Sequence, residues 1–263
     1  MAMTTMKPAI KQLPRAMLID MDDTILSAYG RPEIAWNTIA EEFADELAPL
    51  PPREVATAVL AYARNFWANA EAAWRMKLGE ARRLTVRGGF AALAANGHRA
   101  LSDDLADRLA DRFTTYREEA IFVFPGAHDA IDAFKAHDVK LALVTNGAAE
   151  MQRAKVERFE LAHRFDHIQI EGEHGFGKPE ERAYLHAMEA LGVSANDTWM
   201  IGDNLEWEVV TPQRLGIYAI WIDVHGEGLP EGSTVRPDRI IRSLSELVPD
   251  RSDAESRKQP HAQ

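Results

Sequence analysis

Four short stretches of the chain carry residues that could do chemistry. Asp20-Met21-Asp22-Asp23-Thr24 places two carboxylates two residues apart, directly behind the apolar run Ala16-Met17-Leu18-Ile19. One such carboxylate can attack phosphorus, and the other can protonate a leaving alkoxide and then activate water. Val144-Thr145-Asn146-Gly147 closes a second apolar run. There a threonine hydroxyl and neighbouring backbone N–H groups can hold a phosphate oxygen. Gly177-Lys178-Pro179 sets a cation in front of a helical pattern. Ile201-Gly202-Asp203-Asn204-Leu205-Glu206-Trp207-Glu208 follows a third run and carries three acids. A hard divalent cation takes oxygen ligands, and Mg²⁺ uses a few carboxylates with water and substrate phosphate. Acidic turns, Asn-Gly turns and surface lysines are each common alone. Their order, each near the end of an apolar run, makes the set informative.

The elements that must position these residues alternate. Short apolar runs at 16–19, 140–144, 167–170, 199–201 and 218–222 read as buried parallel strands. Between them, 149–160 and 180–191 carry helical spacing, as does the stretch opened by Phe124-Pro125-Gly126-Ala127 with Ile131 and Phe134 on one face. Gly192 reads as a C-cap, and Thr211-Pro212 as the start of a helix that Gly216 ends. Strands alternating with helices predict a doubly wound parallel sheet. In such sheets ligands bind beyond the carboxyl ends of the strands. After the first strand, residues 31–119 are rich in Ala, Leu, Glu and Arg. Ile34, Ile39 and Phe43, then Val55, Val59, Tyr62 and Phe66, recur at helical steps, Pro49, Pro51 and Pro52 separate two helices, and Ser102 reads as the N-cap of another. The reading is a core at 15–29 and 121–249, an all-helical insert at 30–120, and flexible termini at 1–14 and 250–263.

Composition narrows the class. The 263 residues are 46 % hydrophobic and 27 % charged, with a net charge of −11. That is a globular mix, and its sign argues against nucleic acid or an anionic membrane as partner. The absence of cysteine removes disulfides, thiolate catalysis and cysteine zinc sites. No apolar run approaches the ~20 residues that span a bilayer, and the start lacks a signal core. The expected location is cytoplasmic. The nine histidines show no metal-type spacing such as His-x-x-x-His on a helix with a third ligand, and His174 and His225 read as surface loop residues. Ser27 and Ser194 lack the Gly-x-Ser-x-Gly setting of a serine hydrolase.

Taken together, the four motifs resemble those of the haloacid dehalogenase-like superfamily over roughly residues 16–225, with the insert matching its helical cap by position and helical character. The resemblance implies a Rossmann-like α/β core with an inserted all-helical, C1-type cap. It implies that Asp20 is the nucleophile forming an aspartyl-phosphate, that Asp22 is the general acid and base, and that Thr24 braces the loop. Thr145 and Asn146 would bind phosphate, and Lys178 would neutralise both phosphate and nucleophile. Mg²⁺ would be held by Asp20, the Asp22 backbone carbonyl and Asp203. The superfamily's second acid in the last motif is Asp, whereas this chain has Glu208, which would either reach the metal, directly or through water, or merely hold Asp203's neighbours by hydrogen bonds. Glu206 reads instead as a first-turn acid favoured by the helix dipole.

The expected activity is therefore Mg²⁺-dependent hydrolysis of a small phosphorylated metabolite by a monomer or homodimer. Asp22 tilts the choice away from the family's dehalogenases, which lack a carboxylate there. A phosphomutase, or a binding module that kept the fold, are the alternatives. Asp22 must carry a proton when the leaving group departs. In the insert, Trp67 and Trp74 sit seven apart and read as core packing, Arg75, Arg83 and Arg87 as solvated or acid-paired, and Gly88-Gly89 as a flexible loop or a turn.

Overall fold

A computed structural model describes residues 12–28 and 30–249. The expected loose termini, apart from residues 12–14, lie outside the described residues. In chain order the elements are β1 (Ala16–Ile19), β2 (Leu26–Ser27), α1 (Pro32–Glu42), α2 (Ala44–Leu47), α3 (Pro52–Asn69), α4 (Leu78–Ala95) and α5 (Asp103–Ala120). There follow β3 (Phe122–Val123), α6 (Ala127–Ala136), β4 (Lys140–Thr145), α7 (Ala149–Arg158), β5 (His167–Ile170), α8 (Glu171–His174) and α9 (Glu181–Leu191). The chain then forms β6 (Thr198–Gly202), α10 (Thr211–Arg214), β7 (Tyr218–Ile222) and β8 (Arg239–Ile241).

The chain divides into two compact units. One comprises the described residues up to Leu26 and from Val123 onward, and the other is Ser27–Phe122. In the first, six strands form one sheet in the order β5-β4-β1-β6-β7-β8, and every neighbouring pair is parallel. This is the doubly wound sheet that the alternating pattern predicts. Side chains alternate faces along a strand. Ala16 and Leu18 of β1 pack with Ala142, Val144 and Met200 against Tyr184, Ala187, Met188 and Leu191 of α9. The intervening Met17 and Ile19 are fully buried, as are Ile131 and Phe134 of α6, which packs on β4. The chain leaves β1 for β4 and β5 on one side, then returns to β6 on the other. The crevice at that reversal, beyond the carboxyl ends of β4, β1 and β6, is where such a sheet takes a ligand. Strand β8 has too little apolar length to be found by pattern.

The second unit is helical. Its core includes Trp36, Ile39, Leu47, Val55, Val59, Val86, Phe90, Leu109 and Phe113. Trp36 and Phe113 stack with centroids 3.9 Å apart. Ser102 caps α5, its Oγ accepting from Leu105 N at 3.2 Å. Two expectations need correction. Gly88-Gly89 is neither loop nor turn but lies inside α4. A Cβ on Gly89 would stand 2.8 Å from Val59 Cα, and one on Gly88 would stand 2.2 Å from the Tyr62 ring. The pair lets α4 lie close against α3. Nor are Trp67 and Trp74 one helical stripe, because α3 ends at Asn69. Both rings meet Phe66 edge-on, at 5.1 and 5.4 Å. Phe66 and Trp74 line a recess of about 360 Å³ with Tyr62, Asn65, Asn69 and Glu71. No helix among the described residues is long and apolar enough to cross a membrane.

Candidate active site

Strand register brings the motifs together. Ile19 pairs with Leu143 on one side and Ile201 on the other. Asp20, Thr145 and Asp203 therefore emerge within a residue or two of one another at the carboxyl edge of three adjacent strands. Asp20 N donates to Ile201 O at 2.9 Å, so pairing runs up to the acidic residue itself. The chain then turns tightly: Ile25 N and Leu26 N both return to Met21 O, and Asp23 takes a left-handed φ of 57°. Asp tolerates that conformation better than most residues.

Asp20 is almost fully buried, and its two oxygens have separate partners. Lys178 Nζ donates to Oδ1 at 2.5 Å, and Thr24 Oγ1 donates to Oδ2 at 3.2 Å. Burial pushes the Asp20 carboxyl upward, Lys178 opposes this, and the charge of Asp22 adds to it. Lys178 is completely buried and also lies 2.8 Å from Glu208 Oε1. Burial alone would favour its neutral form. Asp20 and Glu208 overcome that and raise it, so Lys178 stays charged.

Glu208 is fully buried on a π-helical turn, Leu205–Val210. Its Oε2 accepts from Asn204 N at 2.8 Å. Oε2 is thus hydrogen-bonded, while Oε1 is paired with the Lys178 charge but has no hydrogen-bond partner, and Glu208 stands behind Lys178. Burial pushes its carboxyl up to about 7, with Lys178 opposing and Asp20 contributing. Gly202 makes room for it, since a Cβ there would fall 2.1 Å from Glu208 Cγ and 3.0 Å from Asp20 Cβ. Asn204 caps the turn, its Oδ1 accepting from Glu206 N and Trp207 N at 3.0 and 3.1 Å. This agrees with reading Glu206 as a first-turn acid. Asp203 differs from Glu208. Its side chain is exposed, and no hydrogen-bond donor reaches its carboxylate among the described residues. Its carboxyl is raised by desolvation and by the charges of Asp20, Glu208 and Asp23, with Lys178 opposing. Because water reaches Asp203, the crowding of like charges is the cause that carries weight.

Asp22 points to partners that sequence reading missed. Lys155 Nζ lies 2.8 Å from both of its oxygens, and Gln152 Nε2 donates to Oδ2 at 2.9 Å. The same Nε2 lies 2.6 Å from Thr145 Oγ1 and 2.8 Å from Asn146 O, so its two hydrogens are shared among three acceptors. These two residues sit three apart on α7, hence on one face, and both are buried. The only local signal is that spacing, just behind the Thr145 motif. Asn146 is committed as well. Its Nδ2 donates to Lys178 O at 2.6 Å, and its Oδ1 accepts from Lys178 N at 2.9 Å. Its side chain joins two loops rather than facing the cleft. In sum, Asp20, Asp22, Thr145, Lys178, Asp203 and Glu208 form one cluster around an acidic cleft with two buried ammonium groups.

Comparison with known proteins identifies the family. A family model described as haloacid dehalogenase-like hydrolase matches residues 14–216. The chain is 35 % identical over 144 residues to a phosphoserine phosphatase of Thermus thermophilus, covering 54 % of this chain and 56 % of that protein. It spans about half the length of the curated relatives it matches. Among solved structures, a magnesium-bound HAD-hydrolase of Bacillus subtilis aligns with a TM-score of 0.62 at 24 % identity, over 90 % of this chain and 97 % of that one. A 2-haloacid dehalogenase of Pseudomonas syringae pv. Tomato aligns at 0.55 and 23 %, over 94 % of this chain and 100 % of that one. At those identities the structural likeness speaks for the fold alone. With the family model covering most of its length, the chain belongs to the haloacid dehalogenase-like hydrolases.

Proposed function

We propose that the protein is a Mg²⁺-dependent phosphatase of a small phosphorylated metabolite, with Asp20 as nucleophile. The observation that carries this is the pairing of Asp20 with a second carboxylate, Asp22, two residues on and held by its own partners, Lys155 and Gln152. A carboxylate there suits an alkoxide leaving group, which needs a proton, whereas a halide does not. The phosphatase relative supports the same choice.

The donor set fits a hard cation. Asp20 and Asp203 offer oxygen only, and Asp203 is crowded by the charges of Asp20, Glu208 and Asp23 with only Lys178 opposing them. Asp20, the Asp22 carbonyl and Asp203 would hold Mg²⁺, which would supply charge neutralisation to a phosphoryl group. Glu208 is assigned to holding Lys178 in place rather than to direct coordination. In this reading Asp20 attacks phosphorus, the phosphorus–oxygen bond to the alcohol breaks, and Asp22 delivers the proton to the departing oxygen. Asp22 must leave Lys155 to do so. It then takes a proton from the water that cleaves the aspartyl-phosphate. Lys178 balances charge on Asp20, and the Thr145 hydroxyl holds a phosphate oxygen. The helical insert serves as the cap. A mutase or dehalogenase finds no observation in its favour here.

The test is phosphate release from a panel of phosphomonoesters, with Mg²⁺, with chelator, and with Asp20→Asn. Turnover is expected only with Mg²⁺ and Asp20, with Asp20→Asn lowering kcat by at least about 10³-fold. Equal release by Asp20→Asn would sink the assignment.

A further inference from the structure

Away from the carboxylate cleft, His167, His174 and His186 come from three different elements and meet on one face of the edge strand. His167 opens β5, His174 ends α8, and His186 lies in the middle of α9. Their ring centroids are 5.0 to 6.1 Å apart, and one ligand-capable nitrogen from each lies within 4.8 Å of the others. This overturns the reading of the histidines from spacing, and of His174 as a surface loop residue. All three are half-buried.

The hydrogen bonds fix which nitrogens are available. His174 Nδ1 lies 3.1 Å from Ile170 O, which can only accept, so Nδ1 carries the hydrogen and Nε2 the lone pair. His186 Nδ1 lies 2.8 Å from Gln169 Oε1. Gln169 is oriented by its own Nε2, which donates to Ala183 O at 2.8 Å, so its oxygen must be the atom facing His186. His186 therefore also keeps its lone pair on Nε2. His167 Nε2 is buried and has no hydrogen-bond partner. Histidine metal ligands are held in this way, with the far ring nitrogen donating to a carbonyl oxygen.

We propose that His167, His174 and His186 form a second metal site, for Zn²⁺ or a similar imidazole-binding cation, separate from the carboxylate cleft and bracketing the loop that carries Lys178. Zn–N bonds of about 2.0–2.1 Å in a tetrahedron set nitrogens about 3.4 Å apart, so the rings close by about 1.4 Å at most. Three imidazoles leave a fourth position for water. Imidazole selects transition metals, while carboxylate oxygens select Mg²⁺, so the two sites take different ions. The bound ion ties His174 to His186, and Lys178 lies between them in sequence. Strand β5 is two strands from β1, about 10 Å across the sheet. The ion therefore acts on the loop and not on the reacting atoms.

The test uses the full-length chain stripped of metal, then given Zn²⁺ in millimolar Mg²⁺, gel-filtered and assayed for bound zinc. It is run in the Asp203→Asn background so that carboxylate binding does not count. One equivalent of zinc and a rise in melting temperature are expected. Both should be lost in His174→Gln and in His186→Gln, two variants that guard against one failing to fold. Gln169→Met, which removes the orienting partner, should weaken binding by about 10–100-fold. Zinc retained equally by both histidine variants, or not retained at all by the Asp203→Asn protein, would overturn the proposal.

Discussion

In the helical unit the strong charge contacts lie on the surface. Arg83 grips Asp111 with two hydrogen bonds of 2.9 and 2.8 Å, Arg87 grips Asp107 at 2.8 and 2.6 Å, and Arg112 grips Glu42 at 2.8 and 3.0 Å. Arg83 and Asp111 are about half exposed, at 48 % and 54 %. In the sheet unit, Lys178 has no exposed surface and sits between two carboxylates, Asp20 and Glu208. The first kind of pair trades water for a partner at nearly equal free energy. In the second, removing one member strands the others away from water. Equally short distances thus carry very different consequences, and burial decides which.

The largest expected effect follows from breaking the buried set. Lys178→Met should abolish turnover and destabilise the protein by about 3–5 kcal/mol near neutral pH. The loss should depend on pH in a definite direction. Even beside Lys178, Glu208 is pushed up to about 7 from an ordinary 4.5, and Asp20 is raised too. A carboxyl raised in the native state contributes stability that is complete below its unfolded value and lost as pH rises through its native one. Without the lysine both rise further, so the variant should lie closest to the parent near pH 4.5 and fall away from it toward pH 8. Denaturant melts across that range check it, and a deficit independent of pH would contradict it.

An intermediate effect belongs to the helix contact in the other unit. Gly89→Val forces a side chain against the Val59 backbone and should destabilise by about 1–3 kcal/mol, despite the better helix propensity. A neutral result would restore the view of residues 88–89 as loop. The smallest effect tests the surface pairs. Arg83→Met should leave the melting temperature within about 2 °C of the parent. A larger fall would mean the exposed pairs act as a network, and the contrast between the units would soften.

The sequence made the sheet and its acidic edge readable because parallel strands are continuous apolar runs and the motifs sit at their ends. Asp20, Thr145, Lys178 and Asp203 could be found without coordinates for that reason. Lys155 and Gln152 could not. A lysine on a helix reads as solvated until the sheet order shows that its helix face meets the loop after β1. The three histidines were hidden in the same way, since no spacing links a strand, a short helix and a long one. Glu208 shows a further limit. Its position in the motif was plain, but only packing against Gly202 shows that its oxygens face Lys178 and Asn204. In the insert, helical periodicity was sound, yet glycines inside α4 looked like a break because their reason lies on α3.

The side chain of Asn146 copies a peptide group, giving and taking one hydrogen bond with the backbone of Lys178. Two loops more than thirty residues apart in sequence are thereby joined as adjacent strands would be. Fraying of either loop breaks a constraint on the other, which couples their opening. Where that pairing opens, the turns that follow the threonine and carry the lysine lose their shared anchor.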